Sequence, residues 1–444
     1  MLPDSLDNPE KLKQHRHLDL LVHPQPAHTL KLRSRIIQQI RKHLTSLDFT
    51  EVQTPILSYS AGGAIAKPFL TTASSTHHPL ALRIAPELWL KRLLVGGFDR
   101  VFELGPQFRN EGIDAIHNPE FTTCELYFSF GRLDDVITLT EGLLSELERL
   151  TRQLKAPGAA CSSLPPLDID IASALEKSLP RLEFIPTLES QLGEPLPALD
   201  GRPDAEVAAD LCALAARHDV HITSTSPAKI LDKLAGAFLE PLCYKPTWIM
   251  YHPECMAPLA KSRKLRGRMV SQRVELFVQE RELVNAYEEE NSPWEQRWKL
   301  AQQAKQAVNH EQREKKEKEE EEKEEEEEEE EEEAMGLDEK YCETLEWGLP
   351  PTAGWGLGVD RLVMLFSGQE RIADVMAFGG LKGAALQGSK KPGRTARKAE
   401  GAEAARPKAE AVEKREAERR RDEGDVLQMV KELAESLKRD KVTK

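Results

Sequence analysis

One eleven-residue segment, Glu120–Phe130 (EFTTCELYFSF), constrains the fold of this chain more than any other. Its residues alternate with a period of two, which predicts a half-buried β-strand. One face carries ordinary core residues, which are Cys124, Leu126, Phe128 and Phe130. The other face carries Phe121, Thr123, Glu125, Tyr127 and Ser129. Because a carboxylate in such a cleft requires a cation, the segment predicts a site for a positively charged molecule.

The elements around this strand indicate an α+β fold. A helix is predicted over 30–44, and a hairpin is predicted from Arg273–Val278 and Leu283–Glu289 with its turn at Gln279–Glu282. A glycine-rich strand over Ala353–Asp360 feeds a helix from Arg361. Further elements are expected as strands over 49–55 and 100–109, a strand and then a helix over 81–96, and helices over 131–155, 205–217 and 227–239. Because the strands cluster unevenly along the chain, we expect a mostly antiparallel sheet flanked by helices.

The net charge of the chain does not point to a nucleic-acid partner. The total is −14, but residues 311–333 hold 17 Glu against 5 Lys and Arg, with ten consecutive Glu at 324–333. The tail at 383–444 holds 17 basic against 12 acidic residues, which leaves the rest of the chain at −7. A mildly acidic body excludes the strongly basic class of nucleic-acid-binding domains, so a polyanionic partner would have to meet a local basic patch.

Cysteine spacing and apolar runs bound the class of protein further. The six cysteines have neither paired nor metal-binding spacing, and stand at positions 124, 161, 212, 243, 255 and 342. We therefore expect reduced, buried thiols in an intracellular protein. No apolar run reaches the ~18 residues that a membrane span needs. The N-terminus shows neither a secretory apolar core nor an obvious transit signal.

Five sequence blocks together resemble class II aminoacyl-tRNA synthetases, and specifically the lysyl-tRNA synthetases. Three are similar to the ordered motifs of that family: FTEVQTP at 49–55, RVFELGPQFRNEGIDAIHNPEFTTCELY at 100–127 and GLPPTAGWGLGVDRLVMLF at 348–366. The blocks RIAPELWLKRLL at 83–94 and NAYEEEN at 285–291 resemble segments of the lysine enzymes. The resemblance covers about residues 16–382. It implies a lysine–tRNA ligase with a class II catalytic domain.

The resemblance implies that ATP is a substrate, and the chemistry requires cations around it. Attack of an amino-acid carboxylate on the α-phosphorus brings two anions together, so the site has to neutralise charge and hold the reactants in line. Arg109 and Arg361 are the expected catalytic residues, Arg109 as a bridge between carboxylate and α-phosphate and Arg361 on the γ-phosphate. The other residues implied for ATP are Glu111, His117, Phe121 and Gly358. Phe121 and Arg361 are expected on the two sides of the adenine.

The resemblance also implies a lysine site. Its residues are Gly62, Gly63, Glu87, Glu125, Tyr127, Asn285 and Glu289, with Ala64 beside the glycines. Glu125, Tyr127 and Glu289 are expected around the ε-ammonium, Glu87 at the α-ammonium and Asn285 at the carboxylate. An acidic substrate would leave these carboxylates without a cation, so discrimination of ~10⁴ from binding alone is expected.

A metal site and a dimer interface complete the implied machinery. Glu275 and Glu282 bracket the hairpin turn and are similar to the Mg²⁺ ligands of the family, which bridge phosphates. Two glutamates in a Glu-rich chain are, on their own, equally expected to be exposed to solvent. Pro55 lies in the first motif, which in relatives forms the dimer interface, so a homodimer is expected.

The resemblance sets domain boundaries. We expect a linker remnant at 1–28, a catalytic domain in two parts at 29–310 and 335–382, a low-complexity acidic insertion at 311–334 and a charged, helical or disordered tail at 383–444. Relatives carry an anticodon-binding β-barrel before the catalytic domain, and this sequence begins near that junction. Either the barrel is absent or the gene model is incomplete. NAYEEEN and AFGGLK (377–382) resemble the fungal mitochondrial branch more than the cytosolic one, which favours the mitochondrial matrix, with the cytoplasm as the alternative.

Two other functions stay open at this level. Relatives without the β-barrel transfer lysine to a protein acceptor, and that reaction begins with the same adenylate. The third possibility is a catalytically silent adaptor. Presence of Arg109, Arg361, Glu275 and Glu282 together argues against the adaptor, since a silent protein does not need them.

Overall fold

The computed structural model describes residues 15–59, 62–63, 66–74, 78–302 and 338–379. The predictions for residues 1–14, Ala64, the acidic insertion and the C-terminal tail lie outside these ranges. Within them the predicted α+β class is confirmed, because a mostly antiparallel sheet is flanked by helices.

The main sheet contains eight strands among the described residues. They are β1 (Thr50–Glu51), β5 (Arg100–Phe108), β6 (Glu120–Ser129), β7 (Arg181–Glu183), β8 (Thr247–Met250), β11 (Arg273–Val278), β12 (Arg281–Glu288) and β13 (Thr352–Gly358). Their order across the sheet is β1-β5-β6-β13-β12-β11-β8-β7. The pairs β1–β5 and β7–β8 at the two edges are parallel, and all pairs between them are antiparallel.

Shorter strands form two small sheets beside the main one. One has three strands, β2 (Leu57–Ser58), β3 (Leu70–Thr72) and β4 (Pro79–Leu82), with β4 in the middle. The other is an antiparallel hairpin of β9 (Ser262–Leu265) and β10 (Arg268–Ser271).

Helices pack on both faces of the main sheet. The helices are α1 (Arg16–Val22), α2 (Pro24–Ser46), α3 (Glu87–Val95), α4 (Leu133–Lys155), α5 (Ile171–Glu176), α6 (Phe184–Leu192), α7 (Asp204–Arg217), α8 (Pro227–Phe238), α9 (from residue 293, described to 302), α10 (Glu339–Leu345) and α11 (Val359–Ser367). On one face of the sheet, α2 contacts both α4 and α11 over a continuous apolar core. This core includes Cys124, Leu126 and Phe128 from the predicted apolar side of β6, but Phe130 lies beyond the strand and is exposed, so its prediction as a core residue is wrong.

The opposite face of the sheet carries two separate apolar clusters. Helices α6, α7 and α8 form one cluster with Ile249 of β8 and Phe277 of β11. Helices α3 and α10 form another with Val101 of β5 and Tyr127 of β6. Because neither cluster covers the middle of this face, strands β6, β13 and β12 border a cavity there.

The N-terminal part of the described chain contains helices. Residues 1–28 are predicted as a linker remnant, and within them lie α1 and the start of α2, which begins at Pro24. Pro24 is the first residue of α2, a position where the missing N–H and fixed φ of proline are compatible with a helix. Arg16 in α1 contacts Asp19 at 2.6 Å, and its guanidinium lies 3.4 Å from the carbonyl oxygen of Asp374.

The hairpin turn is tighter than predicted. It was expected at Gln279–Glu282, but Val278 pairs with Arg281, so only Gln279 and Glu280 lie between the strands. Both have left-handed backbone conformations, with φ of 52° and 62°. Two left-handed central residues match the twist of the flanking strands in a two-residue hairpin.

Two further expectations concern membrane-spanning helices and the burial of cysteines. No helix in the described ranges is long and apolar enough to cross a membrane. Cys124, Cys161, Cys243 and Cys342 are buried as expected, but Cys212 is half-buried and Cys255 is exposed, so the prediction of uniformly buried thiols is wrong for these two.

Candidate active site

A cavity of about 440 Å³ lies on the open middle of the sheet, a volume typical of small-molecule sites. Twelve of the predicted site residues line it: Gly63, Glu87, Arg109, Glu111, His117, Phe121, Glu125, Tyr127, Glu282, Asn285, Gly358 and Arg361. Four others do not line it: Gly62, Glu275, Glu289 and Pro55. Gly62 borders a neighbouring space of about 20 Å³, and Pro55 is exposed on the surface.

The register of the sheet brings distant residues into rows. Glu125 of β6 pairs with Gly356 of β13, which pairs with Asn285 of β12. The adjacent row consists of Tyr127, Gly354 and Tyr287. Since alternate residues share a face, both rows belong to the cavity side. Phe121 lies six residues before Tyr127, so the site extends on the order of 20 Å along β6.

Strand β13 leaves room for these rows because it presents glycines. A Cβ atom at Gly354 would lie 1.8 Å from Oε1 of Glu289 and 2.5 Å from Cε1 of Tyr127, so this position admits only glycine. At Gly356 the nearest atoms would be 3.7 Å away, an ordinary contact. Gly354 is therefore required by packing, whereas Gly356 keeps space open beside Glu125.

Glu125, Tyr127 and Glu87 form the acidic end of the cavity. The hydroxyl of Tyr127 donates to Oε2 of Glu125 at 3.2 Å, and that of Tyr287 donates to Oε2 of Glu87 at 2.8 Å. Burial, followed by the negative charge of Glu87, raises the pKa of Glu125 to about 8. A buried carboxyl with a raised pKa is stabilised by a bound cation, so this end is suited to an ammonium group.

Lys91 is a member of the acidic end that the sequence prediction missed. Its fully buried Nζ lies 2.6 Å from Oε1 of Glu87 and is also in ion-pair contact with Glu289. Glu289 was predicted beside the substrate ε-ammonium, but in the structure it is fully buried next to Lys91 and does not line the cavity. The prediction differs because Lys91 follows Glu87 by one helical turn, which directs its ammonium inward towards both carboxylates.

Arg109 provides an incompletely satisfied cation at the other end. Its Nε is buried and has no hydrogen-bond partner among the described residues. The centre of its guanidinium lies 5.0 Å from the centre of the Phe121 ring. A buried donor without a partner is suited to an anionic ligand. Because Arg109 covers one face of Phe121, only the other face of that ring is available to stack on a base.

Arg361 is held at the mouth of the same end by two contacts. Its Nη1 donates to the carbonyl oxygen of Glu282 at 3.0 Å, and its Nη2 lies 3.2 Å from Nε2 of His117. Nδ1 of His117 lies 2.8 Å from Oδ2 of Asp114. Since Arg361 can only donate, Nε2 of His117 accepts and Nδ1 carries the proton towards Asp114. Asp114, which was not predicted, therefore orients the ring.

A β-bulge places Glu282 on the cavity side. Residues 282 and 285 are three apart, so a regular strand would put them on opposite faces. The ladder shifts register between Leu276 and Phe277, and Glu282 pairs with Phe277 while Asn285 pairs with Glu275. The extra residue is Leu283. Both Glu282 and Asn285 consequently line the cavity.

The residues at this end fit a magnesium ion bound mainly through Glu282. Burial alone would raise the pKa of Glu275, but Arg273 and His252 lower it to about 2, and both of its oxygens contact these two residues. Burial and the charge of Glu275 raise the pKa of Glu282. The described residues contain no cluster of three metal-binding side chains. Mg²⁺ needs only one or two carboxylates when phosphates and waters complete its coordination.

Asn285 and Arg273 together supply donors between the two ends. Nε of Arg273 donates to Oδ1 of Asn285 at 2.9 Å, and Nη1 donates to the carbonyl oxygen of Met256 at 2.9 Å. With Oδ1 engaged, the remaining hydrogen-bonding group of Asn285 is its NH₂ donor. Both residues line the cavity, which is consistent with the carboxylate contact predicted for Asn285.

The residues missed by sequence reasoning had weak sequence signals. Lys91 stands in the recognised block at 83–94, but a lysine in an amphipathic helix is normally exposed. Arg273 is the first residue of a predicted strand, where a charge is unremarkable. Asp114 is three residues before His117, and that spacing in a loop was the one available clue.

Comparison with known proteins agrees with this geometry. A family model for class II tRNA synthetases (D, K and N) matches residues 8–382. The mitochondrial lysine–tRNA ligase of Schizosaccharomyces pombe is 40% identical over 389 residues, which are 86% of this chain and 67% of that protein. The lysine–tRNA ligase cla4 of Cladosporium cladosporioides is 37% identical over 387 residues, 87% of this chain and 61% of that protein.

A third relative extends the comparison beyond these two fungal proteins. The probable cytoplasmic lysine–tRNA ligase of Vairimorpha ceranae is 37% identical over 382 residues, 85% of this chain and 69% of that protein. This chain thus spans about two thirds of the length of the relatives that it matches. The family match covers both sides of the acidic insertion and all the strands that border the cavity. The chain therefore belongs to the class II tRNA synthetases of the aspartate, lysine and asparagine group.

Proposed function

We propose that this chain carries the catalytic domain of a lysine–tRNA ligase. The observation that supports this most directly is the buried Glu125 at one end of a cavity whose other end presents Arg109 and Arg361. The two ends are separated along β6. The negatively charged end matches an amino acid with an extra ammonium group, and the positively charged end matches a nucleoside triphosphate. The similarity to lysine–tRNA ligases from fungi supports the same choice.

In the proposed first step, the lysine carboxylate attacks the α-phosphorus of ATP. A bond forms between a carboxylate oxygen and that phosphorus, the bond to the bridging oxygen breaks, and pyrophosphate leaves. In this proposal Arg109 contacts both the carboxylate and the α-phosphate, and Arg361 contacts the γ-phosphate. No general base is required, because the carboxylate is already ionised. The residues act by positioning and by neutralising charge.

The remaining contacts of ATP follow from the same end of the cavity. Glu111, His117, Phe121 and Gly358 are the proposed ATP-binding residues beside the two arginines, with the open face of Phe121 against the adenine. Glu282 would hold Mg²⁺, which would offset the negative charge of the phosphates. Glu275 then supports Glu282 through its neighbouring charge.

At the acidic end, the proposed contacts of lysine follow the carboxylates. Glu125 and Tyr127 receive the ε-ammonium, and Glu87 receives the α-ammonium. Asn285 donates to the carboxylate, and the backbone at Gly62 and Gly63 covers the amino acid. Gly63 has a φ of 94° and its Cβ would lie 3.0 Å from Cβ of Glu87, so glycine is needed for this close approach.

In the proposed second step, the activated acyl group passes to the 3′-terminal ribose of tRNA. The ribose hydroxyl attacks the lysyl carbonyl, the mixed anhydride breaks, and AMP leaves. Transfer to a protein acceptor would use the same adenylate, so a charging assay with tRNA and with protein acceptors separates the two outcomes. We further propose a homodimer through the segment at Pro55, and the mitochondrial matrix as the compartment, because mitochondrial ligases of two yeasts are 37–40% identical.

Lysine-dependent exchange of pyrophosphate into ATP tests the first step. With Mg²⁺ present, exchange is expected with lysine and not with aspartate or asparagine. Arg109→Ala is expected to lower the exchange rate by ~10²–10³-fold, because it removes the donor for the charge that develops at the α-phosphate. Arg152→Ala, an exposed arginine on α4, is the matched control. Exchange with aspartate, or equal rates for both variants, would contradict the proposal.

A further inference from the structure

Among the described cationic residues that border the site, Lys91 has the least exposed side chain. Its side chain has 0% exposure, and its Nζ contacts Glu87 and Glu289. Nζ also lies 5.8 Å from the ring centres of Tyr127, Tyr287 and Tyr341. These groups come from α3, β6, α10, β12 and the residue that follows β12.

Burial of a lysine is costly unless its charge is compensated. Burial alone would lower the pKa of Lys91, but the charges of Glu289 and Glu87 outweigh it and hold the pKa well above its usual value. Lys91 is therefore an ammonium at neutral pH. Its location behind the acidic end means that a permanent protein cation stands next to the place proposed for a substrate cation.

Three carboxylates and one ammonium set the formal charge of the acidic end. Glu87, Glu125 and Glu289 influence one another, since the charge of Glu87 helps to raise the pKa of both Glu125 and Glu289. With all three ionised they carry three negative charges, and Lys91 reduces the sum to two. A lysine substrate brings two ammonium groups, so the count matches when Lys91 is present.

We propose that Lys91 is a positioning residue for amino-acid selection, which holds Glu87 in place and compensates the charge of Glu289 so that the acidic end offers two net negative charges to an amino acid with two ammonium groups. This inference depends on the proposed function and deepens it. Lys91 does not touch the substrate; it acts through Glu87, which lines the cavity, and through Glu289 behind it. The substrate class that it selects is the dicationic amino acids.

Loss of Lys91 should change how lysine binding depends on pH. In the intact protein Glu125 has to release one proton on binding the ammonium below about pH 8. Without Lys91, Glu289 would also be protonated in the ligand-free protein, because burial raises the pKa of Glu289 and the charge of Lys91 opposes that rise. Lysine would then have to displace two protons. Replacement of a residue that served packing alone would not change the number of protons that lysine displaces on binding.

The test compares Lys91→Met with Lys91→Arg in lysine-dependent pyrophosphate exchange between pH 6.5 and 9. For Lys91→Met we expect the KM for lysine to rise by ~10–100-fold at pH 7, as a change of one to two pKa units implies. Its logarithm should fall by ~2 per pH unit, against ~1 in the intact protein. The KM for ATP should stay within a factor of ~2, and Lys91→Arg should restore most of the lysine KM because it keeps the charge.

Lys299→Met is the matched control. Lys299 is also a buried lysine, 2.8 Å from the buried Glu290, but it does not line the cavity. This variant should leave the pH dependence of the lysine KM unchanged. If Lys91→Met raised the KM values for lysine and ATP equally, with the pH dependence of the intact protein, the inference would be overturned.

A charge-balanced double variant keeps the test decisive if Lys91→Met does not fold. Lys91→Met with Glu289→Gln again leaves two negative charges, so its pH dependence should return to ~1 per pH unit. A slope of ~2 in this double variant would overturn the inference. Failure of the intact protein to activate lysine would instead reject the proposed function, so the two failures are distinguishable.

Discussion

At the scale of single residues, the two ends of the cavity differ in the charge of the ligand group that each would bind. Among the described residues, Glu125 is buried beside Tyr127 and forms no ion pair, while Glu87 and Glu289 share Lys91. Arg109 is half-buried, and no described residue accepts from its buried Nε. Each unsatisfied group is costly to bury alone, so both indicate where ligand charge of the opposite sign would lower the free energy.

Glu125 gives a prediction about stability and pH. Its pKa is about 8 in the folded protein against an ordinary 4.5, so between these values the folded state holds a proton that the unfolded state has released. The stability of the ligand-free protein therefore falls as the pH rises from 5 to 8. Glu125→Gln removes this cost, and its advantage in Tm should widen over that range by at least ~2 °C and then level off.

Thermal unfolding at several pH values measures this effect. Glu111→Gln is the matched control, since Glu111 lines the same cavity but is only half-buried. An advantage of Glu125→Gln that stays constant from pH 5 to pH 8 would refute the prediction. Addition of lysine at pH 8 should stabilise the intact protein but not Glu125→Gln.

At the scale of elements, the central strands explain why the site has its shape. Strands β6, β13 and β12 place two rows of residues on one face, and the glycines of β13 keep the space between the rows open. Helix α3 closes the acidic end with Glu87 and Lys91. The turn at 109–118 and the start of α11 supply the two arginines of the positive end, while β6 contributes residues to both ends.

Two glycines of β13 give a prediction that separates packing from function. Gly354→Ala should lower the free energy of unfolding by ~1–3 kcal/mol or more, because its Cβ would overlap Glu289 and Tyr127. Gly356→Ala should leave stability within ~0.5 kcal/mol, because its Cβ meets only ordinary contacts, and should instead raise the KM for lysine. Denaturant unfolding measures the first effect. Equal stability of the two variants would show that the close approach at Gly354 is not limiting.

The sequence predicted the elements better than the contacts between them. The alternation of β6 and the stripe of α2 are local patterns, and both appear in the structure. The bulge at Leu283 and the inward direction of Lys91 depend on partners distant in the chain, so no local pattern revealed them. The position of Glu289 beside Lys91 depends on such partners as well. The cavity as a meeting place of the second and third motifs with the blocks at 83–94 and 285–291 followed from resemblance and not from periodicity.

At the scale of the whole molecule, the surface near the first motif is unusually apolar. Ile56, Leu57 and Tyr59 follow Pro55, and their exposures are 42%, 49% and 75%. Large apolar side chains exposed together indicate an interaction surface. This supports the proposal that two copies of the chain associate through this segment.

The dimer proposal predicts the effect of removing these side chains. A Leu57→Asp, Tyr59→Ser variant should dissociate at concentrations where the intact protein is dimeric, with the dissociation constant raised by at least ~10-fold, or ~1.4 kcal/mol. Sedimentation equilibrium measures this. Trp347→Ser, at a side chain that is 86% exposed in another part of the chain, is the control. A monomeric intact protein would reject the proposal.

The extra residue at Leu283 decides which face of the sheet Glu282 occupies. If the two strands paired without the bulge at unchanged length, Glu282 would turn into the apolar layer beneath α11 while Asn285 kept its place. Deletion of Leu283 would instead leave Glu282 and Asn285 two residues apart, which a regular strand places on one face. The hairpin should accordingly tolerate the loss of this one residue better than a replacement that straightens the strand at full length.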